Sequence, residues 1–207
     1  MFINSCIEMK KWLLIYLIVG FSLSAKAQVT FGARGGITYT SLTQTINEEV
    51  TYGGRVGFNV AGLMDIPFHR RLSLRPELSF INQGGAYSLE FKKDETFWAR
   101  YKRNYYAVQI PLNLTYKMLL NGWQIGVYGG PSASLSTQVK EKEGLEERRF
   151  RSFDIGMGTG FYVEYQNVFF TIYSHTGLLD RLADKRPHES HIYQNNVIFS
   201  FGYWFRK

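Results

Sequence analysis

The chain has 207 residues, with 24 Lys and Arg against 17 Asp and Glu, 16% aromatic residues and 20 glycines. One cysteine, Cys6, offers neither a disulfide framework nor a thiolate metal site, which excludes several enzyme classes. So much glycine and aromatic side chain is heavy for a compact helical or α/β protein.

Met9-Lys10-Lys11 opens a basic segment, residues 12–23 are a largely apolar run with a break at Gly20, and Ala25 and Ala27 stand at the A-x-A positions of a cleavage site. This is the order of a secretory signal peptide over 1–27, with Gln28 opening the mature 28–207 domain and Met9 as the expected true start. The apolar run is too short to favour a membrane-spanning helix. Cys6 precedes it, so it is no lipoprotein acceptor and leaves with the leader. The remaining chain keeps a net charge near +5. An exported protein rarely meets nucleic acid, so no nucleic-acid partner is expected.

Beyond the leader the dominant signal is alternation. Residues 30–40 form a first, weaker strand. Over 55–64, Val56, Phe58, Val60, Gly62 and Met64 alternate with Arg55, Gly57, Asn59, Ala61 and Leu63. Over 72–80, Leu72, Leu74, Pro76, Leu78 and Phe80 alternate with Ser73, Arg75, Glu77 and Ser79. Residues 106–116 put Tyr106, Val108, Ile110, Leu112, Leu114 and Tyr116 on one face, an apolar band closed by a tyrosine at each end. A weaker strand follows at 123–134. Over 153–165, Phe153, Ile155, Met157, Thr159, Phe161, Val163 and Tyr165 alternate with Asp154, three glycines, Tyr162 and Glu164. Residues 168–178 are again weaker, and the last strand alternates Val197, Phe199, Phe201, Tyr203 and Phe205 with Asn196, Ile198, Ser200, Gly202 and Trp204.

Three connections are short: 67–70, 119–122 and 166–167. Four are long and polar: roughly 41–52, 84–104, 136–151 and 179–192. The two kinds alternate, as short periplasmic turns and long outer loops do in an outer-membrane barrel. The fold expected is all-β, an eight-stranded antiparallel up-and-down transmembrane β-barrel in the cell outer membrane, with both termini periplasmic. A lipocalin-like soluble barrel also has eight strands, but its apolar side faces the lumen. Here the opposite face carries Arg34, Arg55, Arg75, Glu77, Lys117, Asp154 and Glu164. An eight-stranded barrel has room inside for side chains only, so these charges read as a paired network that stabilises the barrel and conducts nothing.

The mature chain resembles the PorT-like outer-membrane β-barrel family, the outer membrane protein beta-barrel domain group. The likeness rests on F-G-A-R-G-G at 31–36, G-R-V-G-F-N-V at 54–60, L-R-P-E-L-S-F at 74–80 and V-Q-I-P-L-N-L at 108–114. Y-G-G-P-S at 128–132, D-I-G-M-G-T-G at 154–160 and F-G-Y-W-F at 201–205 follow in the same order. The resemblance implies a fold and a location. Its founding member is associated with a secretion and gliding apparatus, but nothing in these motifs is specific to that role. One departure is the C-terminus, where Arg206 and Lys207 follow the aromatic Phe205.

Catalytic candidates are few. Counting from the turn at 166–167 places Ser174 on the lipid face and His175 on the lumen face, so this adjacent pair cannot act together. A lipid A deacylase would need Ser and His on one side, and no enzyme is expected. His188 and His191 flank Glu189, but loop histidines are ordinarily solvated, and no metal or cofactor is expected. Lys92, Lys93, Arg100, Lys102 and Arg103, interleaved with Trp98 and other aromatics, join Arg148 and Arg149 as candidate outer-loop interaction residues. Their expected partners are outer-membrane lipid and lipopolysaccharide phosphate, or other envelope proteins. The function expected is a structural or interaction role in the envelope, as a subunit of a secretion or envelope complex, with the lipid A-modifying enzyme as the alternative.

Overall fold

The computed structural model describes residues 29–46, 49–93, 95–137, 150–183 and 191–205, without the side chains of 44–52 and 87–103. The proposed leader, residues 1–27, lies outside the described residues. Eight strands follow in chain order: β1 (Thr30–Ile46), β2 (Glu49–Pro67), β3 (Leu72–Lys93), β4 (Glu95–Leu120), β5 (Trp123–Ser136), β6 (Phe153–Tyr165), β7 (Val168–Gly177) and β8 (Ile192–Trp204). Each pairs antiparallel with its neighbour in sequence, and β8 returns to β1 through rungs such as Ile37↔Phe199, closing the barrel. Closure leaves no sheet edge in the wall.

The faces are inverted relative to a soluble protein. Val56 is 66% exposed and Phe201 67%, whereas Thr40, Asn113, Thr115 and Ser200 are 0% exposed. A continuous outer surface of Val, Ile, Leu and Phe needs lipid as its solvent. On β4 that surface runs from Tyr106 to Tyr116. Ten residues at ~3.3 Å, tilted by ~40°, rise ~25 Å along the barrel axis, the height of an outer-membrane apolar band. Aromatic residues mark its limits: Trp123 and Tyr165 pair at one end with ring centroids 4.7 Å apart, and Phe80 stacks on Tyr106 at 5.5 Å toward the other.

At one end the connections are tight. Phe68–Arg71 joins β2 to β3, and Asn121-Gly122, with φ of 49° and 85°, turns β4 into β5. Positive φ at both central residues suits the right-handed twist of a two-residue hairpin, which is why Asn-Gly stands there. Gln166-Asn167 joins β6 to β7.

The other end corrects two expectations. Residues 41–52 and 84–104 are not open loops. Strands β1 and β2 stay in register to Ile46↔Glu49, and β3 and β4 to Lys93↔Glu95. The physical reason is composition: Thr43, Thr45, Val50 and Thr51, then Tyr87, Phe91, Phe97 and Tyr101, favour extended backbone despite the charges between them. Longer connections remain only after β5 and β7. Their described parts, 150–152 and 178–183, meet in a bridge between Phe150 and Leu182.

Candidate functional site

Inward positions on all strands make the lumen the place where buried polar chemistry is concentrated. Arg34, on β1, is its best-satisfied charge. Its Nη2 and Nε donate to Glu77 Oε2 at 2.8 and 3.1 Å, and Nη1 donates to Asn59 Oδ1 at 2.9 Å and Ser200 Oγ at 2.8 Å. Four strands (β1, β2, β3 and β8) therefore meet on one guanidinium.

Nearer the tight turns a second group centres on Asp65, which the strand reading missed because it ended at Met64. Asp65 accepts from Ser73 Oγ at 2.7 Å, from Arg75 Nη2 at 3.5 Å and from Lys117 Nζ. The Arg75 guanidinium also lies against three rings, 4.6 Å from the Tyr162 centroid, 5.0 Å from Trp204 and 5.6 Å from Tyr128. Cation–π contact adds to ion pairing at this buried site. The alternation showed those aromatics as inward positions, but nothing in it could show that they converge on Arg75.

The remaining lumen charges also use neutral partners. Glu164 accepts from Trp204 Nε1 at 2.9 Å and Gln124 Nε2 at 3.4 Å. Asp154 accepts from the Leu179 amide at 3.2 Å. Arg55, half-buried, donates to Asn82 Oδ1 at 3.0 Å and to Asn104 Oδ1. The seven candidates thus share the lumen face, with Arg34–Glu77 and Arg75–Asp65–Lys117 as ion-paired groups within it.

Apolar clusters interrupt the polar lumen at three heights. Leu63, Phe169 and Trp204 lie toward the tight turns, and Ile81, Tyr128, Tyr162, Tyr173 and Ile198 across the middle. Leu42, Phe150, Leu182 and Ile192 lie toward the other end. Glycines on neighbouring strands admit these large rings: a Cβ on Gly32 would stand 2.6 Å from the Trp204 ring, and one on Gly202 would strike Phe169. This is the crowding relief that a narrow barrel requires.

The mouth at the long-connection end is crossed from two sides. Gly84, at φ 152°, bends β3 inward. Its carbonyl accepts from Thr40 Oγ1 of β1 at 2.9 Å, while Gln83 Oε1 accepts from Asn196 Nδ2 of β8 at 3.0 Å. The strap 178–183 inserts Arg181, which donates to Ser136 Oγ at 2.8 Å and lies 5.2 Å over the Tyr105 ring. Asp180 fixes the strap by accepting from the Leu182 and Ile192 amides at 3.1 and 3.2 Å.

His175 does face the lumen and Ser174 the lipid, but the structure supplies His175 with another serine. Ser132 Oγ of β5 lies 2.7 Å from His175 Nε2, and Gln109 Nε2 donates to the same oxygen at 3.3 Å. Among the described residues no carboxylate orients the ring, and His175 Nδ1 has no protein partner there. His191 instead meets Asp180, Nδ1 to Oδ2 at 2.9 Å. His188, Glu189, Arg148 and Arg149 lie outside the described residues. Lys92, Lys93, Trp98, Arg100, Lys102 and Arg103 occupy rungs of the β3–β4 ribbon, such as Glu90↔Trp98 and Gly85↔Arg103.

Among curated proteins nothing matches the sequence. Solved structures of similar fold include OprG of Pseudomonas aeruginosa, an outer membrane protein, with a TM-score of 0.52 at 10% identity over 87% of this chain and 98% of that one. They also include Neisserial surface protein A, with a TM-score of 0.47 at 10% identity over 84% and 96%. The outer membrane enzyme PagL gives 0.42 at 6% identity over 79% and 97%. Identities this low bear on fold alone. Residues 21–182, well over half of the sequence, match the outer membrane protein beta-barrel domain, and the chain belongs to that family.

Proposed function

We propose that this outer-membrane barrel is a closed, non-catalytic component of the cell envelope that works through its surfaces rather than through its lumen. The observation that carries the reading is the Arg75 site. A guanidinium 2% exposed, held by Asp65 and packed against Tyr128, Tyr162 and Trp204, fills the cross-section where a pore would need water. An eight-stranded barrel filled in this way offers neither a channel nor a ligand cavity. In this reading the tight turns and both termini face the periplasm, and the long hairpins face outward. The basic rungs of the β3–β4 ribbon then meet lipopolysaccharide phosphate or another envelope protein. A subunit of a secretion or envelope complex is the role that fits a barrel working through its surfaces.

The lipid A-modifying alternative now has Ser132 and His175 as its natural pair, yet they lie inside the barrel and not on the wall that lipid touches. Planar-bilayer recording of the purified barrel tests closure: no single-channel steps are expected, and clear currents would refute it. Mass spectrometry of lipid A with and without expression tests catalysis, where loss of an acyl chain would overturn the non-enzymatic reading. Crosslinking in intact outer membranes, followed by capture of the barrel, is expected to yield a defined envelope complex.

A further inference from the structure

The middle of the lumen contains buried polar atoms that no protein group satisfies. Two adjacent rows of inward positions hold most of them. The register runs Arg75↔Asn113, then through Gly130↔Gly158 to Gly158↔His175, and the next row passes through Ser73↔Thr115, Thr115↔Tyr128, Tyr128↔Gly160 and Gly160↔Tyr173. In these rows Arg75 Nε, both amide atoms of Asn113, Thr115 Oγ1, Tyr173 OH and His175 Nδ1 lack a protein partner. Gly130 and Gly158 leave a gap in side chains between Asn113 and His175, with the Leu112 carbonyl 2.0 Å from where a Gly130 Cβ would stand. Tyr173 OH occupies part of that gap, since a Cβ on Gly158 would collide with it.

Leaving such atoms unsatisfied costs about 1–3 kcal/mol apiece, a sum that a barrel of ordinary stability could not carry. The set mixes donors with acceptors, and the amide of Asn113 presents both. A metal would need a different set, and no group of His, Cys, Asp or Glu among the described residues is placed to hold one. An anion would meet the acceptor Oδ1 of Asn113 among the donors, and the Arg75 charge is already paired with Asp65. Apolar clusters toward both ends exclude larger solutes.

We infer that the region between Asn113 and His175 is a binding site for a small cluster of ordered waters, about two or three, bridging Asn113, Thr115, Tyr173, His175 and Arg75. The cluster is part of the fold and not of a path, because the apolar layers separate it from both mouths. That last clause rests on the closed-lumen reading above; the site itself does not.

The test is water-to-amide magnetisation transfer by NMR, on the full chain in lipid nanodiscs. Cross-peaks to water are expected at the amides of Asn113 and Gly158, and none at the lipid-band neighbours Leu112 and Thr159. Asn113→Leu is expected to abolish them and to lower the folded-to-unfolded ratio about tenfold, because it removes bridged groups. Missing cross-peaks in the wild-type chain would overturn the site. So would an Asn113→Leu variant more stable than the wild type, the result a dry, unsatisfied amide would give. If Asn113→Leu does not fold, the near-isosteric Thr115→Val is read in the same way. Single-channel currents, in contrast, would overturn closure and leave the water signals to decide the site.

Discussion

Arg34 and Glu77 offer the most direct test of how the lumen is held together. Both side chains are 2% exposed, and Glu77 receives two of the four hydrogen bonds that Arg34 makes. Glu77→Gln removes the charge but keeps an acceptor, leaving a buried guanidinium with neutral partners only. Breaking a buried pair from one side costs about 3–5 kcal/mol, and the retained acceptor places this variant near ~3 kcal/mol. That is roughly a hundredfold change in the folding equilibrium. Arg34→Met strands the Glu77 carboxylate and should cost a similar amount. The double variant strands no charge, so its loss should fall well below the sum, with a coupling energy of about 2–3 kcal/mol. Urea unfolding of the barrel refolded into lipid vesicles, followed by tryptophan fluorescence and by gel mobility with and without heating, gives all four corners of the cycle. Additivity within ~0.5 kcal/mol would refute mutual compensation and reduce the pair to two independent side chains.

Three further outcomes follow from the geometry and use the same unfolding assay. Leu112→Arg, on the lipid face of β4, should destabilise by about 2–4 kcal/mol; a neutral result would place that face in water. Trp204→Phe keeps most of the ring but removes the donor at 2.9 Å from Glu164 Oε2, for a loss of about 1.5–3 kcal/mol; a loss under ~0.5 kcal/mol would show that this hydrogen bond does not hold the carboxylate. Gly32→Val sets its Cβ 2.6 Å from the Trp204 ring and 2.9 Å from the Tyr203 carbonyl, so no heat-modifiable barrel should form; a folded, heat-modifiable variant would disprove the tight fit of that strand pair.

The two faces of the wall were legible because alternation has a period of two and lipid rewards it at every second residue. The run from Tyr106 to Tyr116 shows this: each apolar position proves exposed, and each position between proves buried. Contacts between distant strands were not legible. Ser132 and His175 belong to β5 and β7, and they meet because Gly156, on the strand between them, leaves room for the imidazole, where a Cβ would strike it. Nor does any local pattern state that Trp204, three residues before Lys207, donates to Glu164. Asp65 was missed for a different reason. It follows Leu63-Met64, both apolar, and precedes Ile66-Pro67, so the alternation is read as ending at Met64, three residues short of the strand's end at Pro67.

The segment 84–104 shows how charge density hides a strand. Its lysines and arginines look solvated, yet Tyr87 pairs with Tyr101, Leu89 with Ala99 and Phe91 with Phe97, each as a directly opposed rung. Opposed rungs of this kind are the unit of sheet stability, and they need no support from hydropathy averaged along the chain. Extending the pair has a structural consequence at its base. Pairing of β2 with β3 ends at Asn59↔Ile81, so beyond Ile81 the ribbon is free to leave the wall. It turns at Gly84 and is caught by Thr40 and Gln194 from β1 and β8, on the far side of β2. A long flexible loop would have left the mouth to solvent. Instead the backbone at Gly84–Ala86 lies inward against β1, β2 and β8, in residues that hydropathy alone assigns to a loop.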